Sequence, residues 1–138
     1  MFDRHSNTVK LIDFEYSKRV QTERNMKFMK TFIDTFPYCA PELMNNHILY
    51  DGRCVDVWSL GVTFYVYVCA HFPFRGSSMN GLRMNIYSGL DTYSESFRKC
   101  GFVAKRMFMH MLEVDIRKRW SVSQSQACIQ QYHETVQV

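Results

Sequence analysis

The sequence predicts a mainly α fold: a short strand, a long irregular segment, then a helical body around a central buried helix. Three observations carry this. Residues 54–70 form a 17-residue run that is apolar around the whole helical circumference (Val57, Trp58, Leu60, Val62, Phe64, Tyr65, Val66, Val68), and a helix apolar on all sides is expected to be buried on all sides. Residues 13–39 show no periodicity at all. Ahead of them, Thr8-Val9-Lys10-Leu11-Ile12 is short and β-branched, as strands are.

Taken in order, residues 8–12 read as the strand. Residues 13–39, rich in Lys, Arg, Thr and Phe, read as one long loop; structureless loops of that length are usually functional or disordered. Pro41 and Glu42 sit where a short helix would begin, running to Asn46. Asp51-Gly52 marks a turn. The central helix follows over 54–70, too long for a buried strand, and Pro73 breaks the chain after it. Ser77–Ser88 reads as a modest amphipathic helix. Residues 97–112 read as another, with Phe102, Val103, Met107, Phe108, Met111 and Leu112 at helical spacing and packed as core. Ser121–Glu134 makes a last helix, capped by Ser121 or Ser123.

Composition narrows the function classes. With 46% hydrophobic and 15% aromatic residues, the 138-residue chain can build one domain's core. A net charge of +4 does not by itself indicate nucleic acid or membrane. The five cysteines are widely spaced without a CxxC, which suggests reduced thiols rather than a zinc ribbon or redox pair, and the five histidines hold no metal spacing. The longest apolar run, Val57 to Ala70, is 14 residues, short of the roughly 20 that a membrane span needs. Val9 to Ile12 is too short for a signal-peptide core. A cytoplasmic or nuclear protein is expected. Charge is uneven: net +3 over residues 1–30, −3 over 31–97 and +5 over 98–119. The basic run Lys18, Arg19, Arg24, Lys27, Lys30 suits either a solvated loop or one whose charge meets a phosphate.

Four segments then stand together. Val9-Lys10-Leu11-Ile12-Asp13-Phe14-Glu15 resembles the strand and DFG segment of protein kinases. Ala40-Pro41-Glu42 resembles the APE motif. Asp56-Val57-Trp58-Ser59-Leu60-Gly61-Val62 resembles the D-x-W-S-x-G helix, and Asp115-Ile116-Arg117-Lys118-Arg119-Trp120 the arginine-bearing segment before the last helix. Order and spacing are those of the eukaryotic-type Ser/Thr protein kinase family. Met29–Leu43 resembles the group of AMP-activated and microtubule-affinity-regulating kinases. Ser17-Lys18-Arg19 and His110-Met111-Leu112 resemble its testis-specific serine kinases. The resemblance implies the C-terminal half of a kinase fold, a partial domain over 1–138. Within it, 8–12 is the strand, 13–42 the activation segment and 43–134 the helical lobe.

The resemblance also assigns residues. Asp13 matches the magnesium ligand, which neutralises charge on transferred phosphate. Glu15 replaces the motif's glycine, which weakens that assignment. Thr31, nine residues before Ala40, matches the activation-loop phosphosite; a phosphate there could order the basic loop. Thr35 and Tyr38 match the substrate-docking loop and imply a Ser/Thr acceptor, although Ile33 and Asp34 depart from the usual cysteine and glycine. Glu42 and Arg119 match the buried ion pair that anchors the loop. Asp56 would cap the central helix and, by resemblance, hold the catalytic loop's backbone. Trp58 and Gly61 are packing residues. Val66 stands where basophilic kinases can carry a glutamate, so no acidic substrate pocket is expected there.

The 138 residues contain no G-x-G-x-x-G, no V-A-I-K-like strand and no H-R-D; Asp3-Arg4-His5 has those letters reversed. No catalytic residue is therefore assigned. ATP and Mg2+ are implied by the family, but a chain without these parts is expected to bind them poorly. The partner would be a protein substrate or a partner kinase, with no nucleic acid and no membrane. The expected function is the C-terminal portion of an ATP-dependent Ser/Thr kinase, inactive alone; the alternative is a truncated pseudokinase serving as a binding module. The strand is expected to lack its hairpin partner. The central helix is expected to lack covering helices on one flank and so to expose apolar surface.

Overall fold

The computed structural model describes residues 2–15, 17, 36–44 and 50–136, with the side chains of Phe36 and residues 133–136 outside that description. Strands β1 (Phe2–Asp3) and β2 (Thr8–Val9) pair antiparallel, Phe2 opposite Val9 and Asp3 opposite Thr8. Two expectations are corrected here. The strand is two residues long rather than five, and it does have a hairpin partner. Phe2–Asp3, two residues long, is too short to announce a strand from its sequence. Asp3 organises the turn: its carboxylate accepts from the His5 amide at 3.0 Å, the Ser6 amide at 3.4 Å and Lys10 Nζ at 3.0 Å. Asn7 takes the left-handed conformation (φ 51°) that asparagine tolerates.

Two 3-10 turns, Phe36–Tyr38 and Pro41–Met44, lead into the helical body. The second is the short helix expected from Pro41-Glu42; residues 45–46 lie outside the described residues. Helix α1 (Gly52–Cys69) begins two residues before the expected start. Its N-cap is Asp51, whose side chain accepts from the Arg53 amide. Asp56 is therefore not the cap; it lies in the second turn. Glycine at the first helical position is a poor former, which hid the true start. At the other end Ala70 adopts φ 59° and its amide bonds the Val66 carbonyl, closing the helix.

Helices α2 (Met79–Tyr87), α3 (Glu95–Lys99), α4 (Phe102–Met111) and α5 (Val122–Val136) follow; α4 packs directly on α1, α5 on α4, and α2 on the Pro41–Met44 turn. The expected helix over 97–112 is two helices. Ser94 caps α3 and Cys100 turns extended (φ −66°, ψ 146°), so the chain restarts at Gly101. That break leaves Phe102 exposed, against the expectation that it belongs to the core. In α5, Ser121 and Gln124 cap reciprocally: the Gln124 amide donates to Ser121 Oγ and the Ser121 amide to Gln124 Oε1.

The core lies on two sides of α1. Trp58, Val62, Tyr65, Phe74, Leu82, Ile86, Phe97, Phe108 and Leu112 form one cluster. Val57, Met107, Met111 and Cys128 form the other. Phe108 is wholly buried, 4.8 Å from the Tyr65 ring and 5.1 Å from Phe64; such rings contribute about 0.5–1.5 kcal/mol per pair beyond area burial. The rod is not buried all round. Asp56, Leu60, Thr63 and Tyr67 make an exposed stripe at helical spacing, with Val68 beside it and Tyr67 87% accessible. The expected open flank is thus present, and the expectation of burial on every side is corrected.

Gly61 sets how closely α1 and α4 approach. A Cβ there would lie 2.9 Å from Met111 Cβ and 3.1 Å from Leu112 Cδ2. Alanine would gain about 1 kcal/mol in helix propensity, but overpacking costs about 1–3 kcal/mol. Gly61→Ala is expected to be net destabilising and Gly61→Val more so, read as a lower urea midpoint.

Candidate functional site

The most built polar site centres on Arg119, which is 5% exposed. Its Nη1 and Nη2 donate to the two Glu42 carboxylate oxygens at 2.6 and 2.9 Å. Nη1 also donates to the Cys54 carbonyl at 2.9 Å and Nε to the Glu113 carbonyl at 2.8 Å. The guanidinium lies 4.9 Å from the Trp58 ring centroid, a cation–π contact. Trp58 in turn stacks on Phe74 at 5.6 Å with a 12° interplanar angle. One side chain therefore joins the Pro41–Met44 turn, the first turn of α1 and the segment before α5.

A second tie holds the segment just before Glu42. Ser59 Oγ donates to the Tyr38 carbonyl at 3.1 Å, and the half-buried Tyr38 ring meets Phe72 edge-on at 5.4 Å. Ala40 and Cys39 are buried beside it. The segment ahead of Glu42 is thus tied to α1 through the Ser59 hydroxyl and to the stretch after α1 through the Tyr38 ring. Thr31 and Thr35 lie outside the described residues.

Asp56 is exposed on α1 near Asp51, and none of the described residues hydrogen-bonds its carboxylate. Desolvation by the packed wall beside it, with the Asp51 charge second, holds its carboxyl above the usual range. Asp13 is far less enclosed. It is exposed, with φ 66°, between exposed Ile12 and Phe14.

These placements meet the comparisons with known proteins. The protein kinase domain family matches residues 1–132. The chain belongs to the protein kinase domain family. It is 36% identical over 123 residues to the serine/threonine-protein kinase SIK3 homolog of Danio rerio, covering 87% of this chain and 10% of that protein. Against kin-29 of Caenorhabditis elegans it is 33% identical over 119 residues, 85% of this chain and 13% of the relative. Against human testis-specific serine/threonine-protein kinase 1 it is 30% identical over 118 residues, 84% and 32%. The chain thus spans between about a tenth and a third of the length of these relatives. It falls in the serine/threonine branch, among kinases related to the AMP-activated group.

Within that family's pattern Asp13 matches the magnesium ligand. Among the described residues no group of three His, Cys, Asp or Glu side chains could hold a metal ion without a further ligand. Asp13 and Glu15 are two exposed carboxylates on one irregular segment. Magnesium binds through one or two carboxylates plus substrate phosphates, and the 138 residues carry no Gly-rich loop to bring phosphates there. Sequence reasoning also missed groups that matter. The Cys54 and Glu113 carbonyls complete Arg119, and a backbone acceptor leaves no mark in the side-chain pattern. Ser59 was legible only as part of a helix motif. Trp58 Nε1 is buried without a hydrogen-bond partner, the one such side-chain atom among the described residues.

Two predictions follow from this geometry. Glu42→Gln or Arg119→Met removes one partner of a buried, fully bonded pair and is expected to cost about 3–5 kcal/mol. Urea unfolding with a double-mutant cycle checks this; additive single losses would contradict it. For Asp56 the folded pKa lies above the unfolded value of about 3.9. Its contribution to stability is therefore present below the unfolded pKa and lost as pH rises through the folded value. Asp56→Asn is expected to raise Tm modestly at pH 7 and to leave it unchanged near pH 3.

Proposed function

We propose that this chain supplies the anchoring and substrate-docking portion of an ATP-dependent Ser/Thr protein kinase, and that alone it transfers no phosphoryl group. The observation that carries this reading is the intact Glu42–Arg119 anchor with the Tyr38–Ser59 tie, in a sequence without a Gly-rich loop, strand lysine or HRD aspartate. Phosphoryl transfer depends on positioning and electrostatic stabilisation, and those parts supply both. In the complete domain Asp13 would help hold Mg2+, with ATP as phosphoryl donor. Thr31 would be the phosphosite that orders the basic loop, and Thr35 and Tyr38 would face a protein Ser/Thr substrate. The exposed stripe Asp56, Leu60, Thr63, Tyr67 on α1 would seat the preceding half of the domain, with Asp56 accepting backbone amides there. An intracellular location, cytoplasmic or nuclear, fits the reduced thiols.

A second reading, a pseudokinase that binds partner kinases or substrates, is favoured by one observation: Glu15 adds charge where the family has glycine, beside an exposed Asp13.

Ligand binding raises stability by RT ln(1 + [L]/Kd), so a thermal shift reads nucleotide affinity directly. Residues 1–138 alone are expected to show no Tm change in millimolar Mg-ATP. A micromolar affinity would overturn the proposal. An upstream reading frame that encodes the Gly-rich loop, lysine and HRD aspartate, expressed in line with these residues, is expected to phosphorylate Ser/Thr peptides. A folded extended protein that binds no nucleotide would instead favour the pseudokinase.

A further inference from the structure

Away from the Arg119 anchor, two of the five cysteines are brought together. Cys69 is the last residue of α1 and Cys100 caps the end of α3, 31 residues later, yet their sulfurs lie 3.6 Å apart. The other three stand elsewhere: Cys39 and Cys128 are buried and Cys54 lies beside the anchor. Both partners are half-buried, so small reagents can reach them while the surrounding core holds them in place. We propose that Cys69 and Cys100 are a disulfide-forming pair that locks the C-terminal end of α1 to α3 when the chain meets a low-molecular-weight disulfide.

The geometry needs little change. A disulfide brings sulfurs to about 2.05 Å, so the gap closes by about 1.5 Å. Cys100 is extended, and the following Gly101 has nothing within 4 Å of where a Cβ would stand, so that link has room to move. Cys100 Sγ now donates to the Ser96 carbonyl at 3.2 Å, a weak bond that the reaction gives up. In the first step the Cys100 thiol loses its proton to water and its sulfur attacks one sulfur of the oxidant disulfide. That S–S bond breaks and one small thiol leaves. In the second, Cys69 loses its proton and attacks Cys100 in the mixed disulfide, releasing the second small thiol. Two protein thiols are oxidised and one small disulfide is reduced to two thiols.

The surroundings also set the rate. Burial first, and the hydrogen bond to Cys100 second, push the Cys69 thiol up to about 11. The Tyr65 hydroxyl, itself pushed up to about 12 by burial, reaches both Cys69 and Ser94. The thiolate is the nucleophile, so formation is slow. A thiol of high pKa is also a poor leaving group, so the closed bond is slow to open.

This inference stands apart from the kinase reading. The test incubates the 138-residue chain overnight with oxidised glutathione, once in buffer and once in urea, then alkylates and maps cross-links by mass spectrometry. Five cysteines allow ten pairings, so unfolded chains give Cys69–Cys100 about a tenth of the links. In buffer that link is expected to dominate, with Cys39, Cys54 and Cys128 still alkylated. Oxidation is expected to raise Tm by about 5–10 °C, reversibly with strong reductant. Cys69→Ser and Cys100→Ser should each abolish the link and the shift, and Cys54→Ser neither. A link no more frequent in buffer than in urea, or glutathione adducts that never close, would overturn the proposal.

Discussion

A buried arginine must find a partner for nearly every donor, and Arg119 does so by recruiting two stretches of chain distant in sequence and one from its own segment. Glu42 supplies both carboxylate oxygens, and Cys54 and Glu113 supply carbonyls. Moving Glu42 away would leave a desolvated cation unpaired, and moving either carbonyl would leave a buried donor unbonded, which costs more than the contact itself contributes. The interaction therefore specifies position more than it adds stability. It fixes the turn at 41–44 against the first turns of α1, and it fixes the entry to α5. Trp58 shares in this. Its face meets the guanidinium and its other neighbour is Phe74, so the anchor is continuous with the hydrophobic core rather than an island in it.

From that fixed start, α1 dictates where everything else goes. Gly61 brings α4 to contact distance, and Phe108 then reaches Phe64, Tyr65 and Phe97. The loop after α4 returns with the Trp120 amide donating a hydrogen bond to the His110 carbonyl and the two rings stacked at 4.3 Å. That return places Arg119 back at α1. Packing and anchor thus close on each other, and neither would hold its geometry without the other.

How much of this was legible depended on the kind of signal. The long apolar run at 54–70 announced α1 because its length excludes a strand. Its first turn was hidden, since Asp51-Gly52 reads equally well as a turn and Asp56 offered a rival cap. The division of residues 97–112 into α3 and α4 was invisible, because Phe102 keeps the apolar period while standing in solvent. The resemblance to the kinase family paired Glu42 with Arg119 across 77 residues, something no local pattern does. Their carbonyl partners are backbone atoms and carry no residue signature. Asp13 shows the converse: its motif was clear, but a motif says nothing of the surroundings, and the side chain stands exposed between exposed Ile12 and Phe14.

The α1 surface explains why an all-apolar sequence and a half-exposed helix are compatible. Helices that face water on one side normally become polar there. On α1 the open face keeps Leu60, Tyr67 and Val68, with Asp56 at its start holding its proton more tightly than a free carboxyl. A sequence adapted to leave this face in water would have little reason to retain three large apolar groups around an aspartate short of hydrogen bonds. One adapted to bury it would place apolar groups along the stripe and a carboxylate where backbone amides arrive. The composition of that face supports the second, and with it the reading of this chain as one side of an interface internal to a larger kinase domain.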